Sequence, residues 1–123
     1  MASTGATLLR ALLFVSLFAG FAAHLAAAEK DCYDERDSVM RMCKWTIKKG
    51  SPYVIPDMPC RLQVRKVDMP CICRVLTASD ERIVSPEKLV RCSRDSGVAL
   101  PVGSKCGTYT IVAPAPAPPS AHA

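Results

Sequence analysis

Seven cysteines, at positions 32, 43, 60, 71, 73, 92 and 106, are set along a chain of only 123 residues. Two of them flank a single residue, in Cys71-Ile72-Cys73. Thiols at this density bind a metal, catalyse, or cross-link the chain. A zinc site is poorly supported: there is no Cys-x-x-Cys pair, and the two histidines, His24 and His122, lie outside the cysteine-bearing region. A catalytic thiol would need a nearby base, and that region contains no histidine. A disulfide framework is the expected use. If Cys71 and Cys73 share a helix, they project about 200° apart and must tie it to two different segments. Ile72 then points between them, and its apolar side chain belongs in the interior, leaving the two sulfurs at the flanks.

The compartment this requires is written at the other end of the chain. Met1 to Arg10 carries one charge, Arg10, and residues 11–21 are all apolar or small apart from Ser16. Ala26 and Ala28 supply small residues before the charged Glu29-Lys30-Asp31. A basic start, an apolar middle and a small-x-small exit make a secretory signal peptide, expected over residues 1–28 with cleavage after Ala28. The apolar run is short for a bilayer span. A secreted, extracellular protein is expected, in an oxidising setting that favours disulfides. The rest of the chain keeps 15 basic against 11 acidic residues, a net charge of +4.

Residues 113–123 alternate alanine and proline, which blocks helix and sheet and favours an extended, solvated rod. This part is expected to be a disordered tail. Asparagine is absent from the whole chain, so N-glycosylation is excluded.

Between leader and tail, residues 29–112 read as one helical domain. Cys32, Val39, Cys43 and Ile47 recur at helical spacing in a helix begun by acids and closed by Lys48-Lys49-Gly50. Residues 51–56 form a loop. Asp57 caps a second helix, with Pro59 in its first turn and Cys60, Val64 and Val67 on one face. Asp68-Met69-Pro70 opens a third, running from Cys71 to Leu76, and Ser85-Pro86-Glu87 opens a fourth that carries Leu89, Val90 and Cys92 before Gly97 ends it. Pro101, Gly103 and Gly107 make the remainder irregular, with one extended piece at 108–112. The expected fold is all-α: four short helices in a disulfide-stapled bundle with an irregular C-terminal segment.

This cysteine order resembles the eight-cysteine framework of the plant lipid-transfer, amylase/protease inhibitor and seed storage albumin superfamily, which runs C…C…CC…CxC…C…C. The likeness spans Cys32 to Cys106, with one departure: Cys60-Arg61 stands where the superfamily has adjacent cysteines. In the superfamily the second of that pair bonds the seventh cysteine, here Cys92. The missing partner and the odd total therefore explain each other. The resemblance implies Cys43–Cys60, with one member of the CxC pair bonded to Cys32 and the other to Cys106. With an apolar residue between them, shorter superfamily members join the earlier one to the first cysteine. That favours Cys32–Cys71 and Cys73–Cys106 over the crossed alternative. Cys92 is then either a buried thiol packing as a small hydrophobe or, with Arg61 lowering its pKa, a reactive one.

Function follows from what such a framework permits. Beyond the leader there is no Phe, and the aromatics are Tyr33, Trp45, Tyr53 and Tyr109. Cross-links that replace core packing leave room for an aliphatic cavity lined by Val39, Ile47, Val64, Val67, Ile72, Leu76 and Leu89, with Tyr109 at one mouth. The competing reading is that these side chains touch one another in a small dry core. The expectation drawn from the resemblance is a monomeric lipid-binding or lipid-transfer protein, with a role in plant defence. Its partner would be a fatty acid or phospholipid acyl chain. Lys44, Lys48, Lys49, Arg61, Arg65 and Lys66 offer transient contact with anionic membranes. The alternative is an inhibitor of a digestive hydrolase that presents residues 51–56. Storage is disfavoured by a single Gln and no Asn. Catalysis, a cofactor and nucleic acid are not expected.

Overall fold

The computed structural model describes residues 31–116. The expected leader, 1–28, lies outside the described residues, as does the tail beyond 116. Helix α1 occupies 31–42, α2 Lys44–Ile47, α3 Met58–Lys66, α4 Met69–Val75 and α5 Pro86–Asp95, with a 3-10 turn at Asp80–Arg82. A two-stranded antiparallel ribbon, β1 Lys105–Cys106 and β2 Tyr109–Thr110, sets Cys106 opposite Tyr109.

The three N-caps sit where short polar residues precede proline. A carboxylate oxygen of Asp57 accepts from the Cys60 N–H at 3.0 Å, and Asp68 accepts from the Cys71 N–H at 3.1 Å. The Ser85 hydroxyl accepts from the Lys88 N–H at 3.3 Å. Each satisfies a donor that a helix start leaves without a partner. Gly97 closes α5 with φ +93°, a left-handed turn that lets Val98 N–H reach Ser93 O at 2.8 Å and Gly97 N–H reach Arg94 O at 2.9 Å.

The first helical segment differs from expectation. It breaks at Cys43, whose φ is −107° and ψ 15°, and it ends at Ile47 rather than Lys49. Bonds from Cys43 N–H to Val39 O and from Ile47 N–H to Cys43 O carry the helical stripe across the break. Beyond Ile47 the backbone turns extended, because a sheet-like bridge from Lys48 to Val84 takes over its pairing. Lys49 N–H donates to Ile83 O and Ser85 N–H to Ile47 O, both at 2.9 Å. Five α-helices thus stand where four were read, and the 3-10 turn falls in a stretch with no apolar periodicity. The extended piece near 108–112 is paired only over Tyr109–Thr110. Gly107, with φ +57°, makes the tight turn before it, and its N–H donates to Cys73 O at 3.0 Å.

Three disulfides staple these parts: Cys32–Cys71 joins α1 to α4, Cys43–Cys60 joins the α1–α2 break to α3, and Cys73–Cys106 joins α4 to β1. The two cysteines that flank Ile72 therefore reach different segments, and Ile72 itself is buried between them. One ion pair is sheltered. Arg36 on α1 meets Asp80 at 3.0 Å, and Asp80 also accepts from the Thr77 N–H at 2.9 Å, which ties the 3-10 turn to α1. Ser93 and Ser96, both buried, are satisfied by their hydroxyls donating to Val98 O and Cys92 O.

Candidate functional site: an apolar interior and the clefts that reach it

The eight residues expected to line a cavity come together. Val39 (α1), Ile47 (α2), Val64 (α3), Ile72 (α4), Leu89 (α5) and Leu76, the residue that ends α4, are buried members of one continuous apolar cluster. Val67 and Tyr109 are half-buried and pack against it. The same cluster takes in residues outside that expected lining: Met69, Val84, Val90, Leu100 and Ile111. Val84 arrives through the bridge to Lys48, and Leu100 and Ile111 come from a stretch whose prolines and glycines hide any period.

Two of the surface clefts border this interior beside the 3-10 turn, and a third, lined by Leu100 and Ile111, borders it at the C-terminal segment. The first, about 400 Å³, has an apolar floor of Met40, Ile47 and Val84, with Ile83 on one wall. Its rim is Lys44, Lys48, Lys49 and Arg82, and no carboxylate lines it. The paired backbones of 47–49 and 83–85 hold its two walls together. The second, about 520 Å³, is bordered by Leu76, Ala78, Glu81 and Thr108. Glu81 accepts from the Thr108 hydroxyl at 2.5 Å, so its charge is turned toward the hairpin. Both volumes are of the size that takes a small ligand. Ile47 and Leu76 are therefore shared between the buried cluster and the surface.

The six cations read as one patch part company. Arg61 donates from Nε to Pro56 O at 2.9 Å and Arg65 from Nε to Ser96 O at 2.8 Å, so both are committed to tying loops down. Lys49 donates to Glu81 O at 3.1 Å. Lys44 and Lys48 stand over the Trp45 ring at 5.3 and 5.6 Å.

Cys92 is fully buried, with its sulfur 3.5 Å from that of Cys60. Burial pushes its thiol up to about 11; the Ser96 hydroxyl and Arg61 pull the other way and lose. Cys43, Cys60 and Cys92 place their sulfurs within 4.8 Å of one another. With Cys43 and Cys60 bonded to each other, one thiol remains, which is too few for a metal centre. Native protein is expected to react negligibly with iodoacetamide at neutral pH and to label fully once unfolded. Because the folded pKa lies above the ordinary 9.0, the unfolded chain ionises first and stability falls as pH rises from about 9 to 11. Denaturant titrations at pH 8 and pH 11 check the sign.

A further feature is an exposed loop that lines none of these clefts. The loop 51–56 exposes Val54 and Ile55, and Tyr53 anchors it by donating to Asp95 at 2.6 Å beneath the Arg91 guanidinium, 3.9 Å from the ring.

Disulfides that bind short helices around an aliphatic interior, with clefts leading to it, suit the handling of apolar ligands. The family described as probable lipid transfer matches residues 12–106. The chain belongs to that family. No curated protein and no solved structure matches it. Membership in the probable lipid transfer family supports a lipid-transfer-like function, and moving a lipid makes and breaks no covalent bond. Within this lipid-transfer chain, the paired cysteines, the capped helices and all of the aliphatic cluster except Ile111 fall inside the matched range.

Proposed function

We propose that the protein is a secreted, monomeric carrier that takes one acyl chain of a fatty acid or phospholipid into its apolar interior. The chain lies among Val39, Ile47, Val64, Val67, Ile72, Leu76 and Leu89, and Tyr109 closes one mouth. The observation that carries this reading is the double membership of Ile47, at once the floor of the cationic cleft and part of the buried cluster. A chain entering over Ile47 meets apolar side chains from there on. Leu76, which borders the second cleft, gives it a way toward that cleft. Each methylene taken from water contributes about 0.8 kcal/mol, set against the cost of immobilising the guest. Action in extracellular defence fits such a carrier.

Native mass spectrometry of the purified protein, with uptake of a fluorescent fatty acid in vesicle-free solution, tests this. One lipid per chain, displaceable by unlabelled fatty acid, is the expected result. A bare protein that takes up none would overturn it.

A second reading has its own support. Val54 and Ile55 are displayed on a loop held rigid by Tyr53, Asp95 and Arg91, as a surface that inserts into a hydrolase would be. Inhibition of an amylase or trypsin by protein stripped of lipid would favour it.

A further inference from the structure

We propose that the face around the cationic cleft docks onto anionic lipid bilayers, with Trp45 as the side chain that enters the interface. This does not depend on where the acyl chain is held.

The face combines three things that occur together nowhere else among the described residues. Trp45 is the one tryptophan of the chain, and it is 67% exposed. A ring of that size left mostly in water adds nothing to the buried core, whereas an indole at the headgroup level of a bilayer buries its apolar body and keeps its N–H wet. Ile83, also exposed, stands on the opposite wall of the cleft. Around them are Lys44, Lys48, Lys49 and Arg82, and no carboxylate lines the cleft between. None of these four makes an ion pair with a described residue. The two acids that precede Arg82 are engaged elsewhere, Asp80 by Arg36 and Glu81 by Thr108.

The partner this selects is a negatively charged surface with an apolar layer beneath it. Lys44 and Lys48 already lie against the indole, so a bilayer that receives the ring receives two ammonium groups at the phosphate level with it. The paired strands of 47–49 and 83–85 make the face rigid, so docking costs little ordering. Polar headgroup contact and apolar insertion would then reinforce each other.

The test uses sedimentation with vesicles of pure phosphatidylcholine and of phosphatidylcholine with 30% (about) phosphatidylglycerol. Trp45 fluorescence and its quenching by bromine-labelled lipid acyl chains are read in parallel. Binding to the anionic vesicles alone, a blue shift and quenching are expected. A triple variant K44A/K48A/R82A should bind about a hundredfold more weakly, at roughly 1 kcal/mol for each basic residue at the surface. The matched variant K66A/R74A/K105A removes the same charge from exposed residues that do not line this cleft, and should lose less than tenfold. Equal losses in the two triples would show that net charge alone drives binding, and would overturn the proposal. So would binding without quenching of Trp45, or no binding to either vesicle. Uptake of fatty acid by the unaltered protein without vesicles reports on the carrier reading separately, so either can fail while the other stands.

Discussion

Arg61→Cys is expected to give a protein with no free thiol and a higher unfolding temperature. Position 61 adjoins Cys60, whose sulfur lies 3.5 Å from that of Cys92, and Arg61 is near enough to Cys92 for its charge to act on that thiol, so a thiol introduced there is expected to reach Cys92 by a local adjustment. Closing the loop between positions 61 and 92 removes freedom from the unfolded chain worth about 3–4 kcal/mol. Against this stands the lost bond from Arg61 to Pro56 O, about 1–2 kcal/mol for a charged donor at a half-exposed site. The net gain is about 2 kcal/mol, or roughly 10 °C for a domain of this size. Arg61→Ala loses the bond without the cross-link and should unfold at lower temperature than the unaltered chain. Thiol titration in denaturant and a thermal scan decide the matter. Two free thiols, or a bond that displaces Cys43–Cys60, would show that the Cys92 pocket does not accept the new partner.

The size of that effect reflects how little else holds the fold. The three bonds span 39, 17 and 33 residues, and they bind α1, α3 and α4 together with the β1 hairpin. The apolar cluster is built from aliphatic and sulfur-bearing side chains, with no aromatic residue fully inside. Such a domain depends on covalent staples for stability that a larger chain would draw from core area. Cys92, buried against the Cys43–Cys60 bond, serves there as packing.

Much of the helical part was legible in sequence because its signals are local. Asp57, Asp68 and Ser85, each followed within two residues by proline, mark three helix starts, and all three side chains make the capping bond. The 200° rule for Cys71 and Cys73 depends only on helix geometry, and it assigns Ile72 to the interior, where it is found. Non-local pairing was not legible. The end of α2 is set by Val84, 36 residues further on, and no feature of Lys48 itself declares a bridge. The same holds for the cations. Lys44 and Arg61 look alike in sequence, but one rims an open cleft while the other is spent on a backbone carbonyl. The cleft itself is invisible to periodicity, because one of its walls comes from Arg82, Ile83 and Val84, at and just after the end of the 3-10 turn.

Substitution at Ile72 in opposite directions separates an interior that hosts a lipid from one that is merely filled. Ile72 is buried at the centre of α4, between two disulfides that fix its position. Ile72→Trp adds bulk where the acyl chain is proposed to lie, and is expected to cut fatty-acid uptake by tenfold or more. The three disulfides should keep the helices in place, although overpacking costs about 1–3 kcal/mol. Ile72→Ala removes bulk at the same point. It should destabilise the empty protein by about 2–4 kcal/mol, but leave uptake intact or raise it, because an acyl chain can refill the void. Bound lipid should then restore much of the lost stability, since a ligand that binds only the folded state stabilises it. Circular dichroism verifies the fold of each variant, and uptake and thermal scans with and without fatty acid supply the measurements. If the lipid sits only in the surface clefts, neither change will touch uptake and the Ala variant will gain nothing from ligand. The two substitutions would then report on packing alone, and the carrier's interior would have to be given up in favour of its rim.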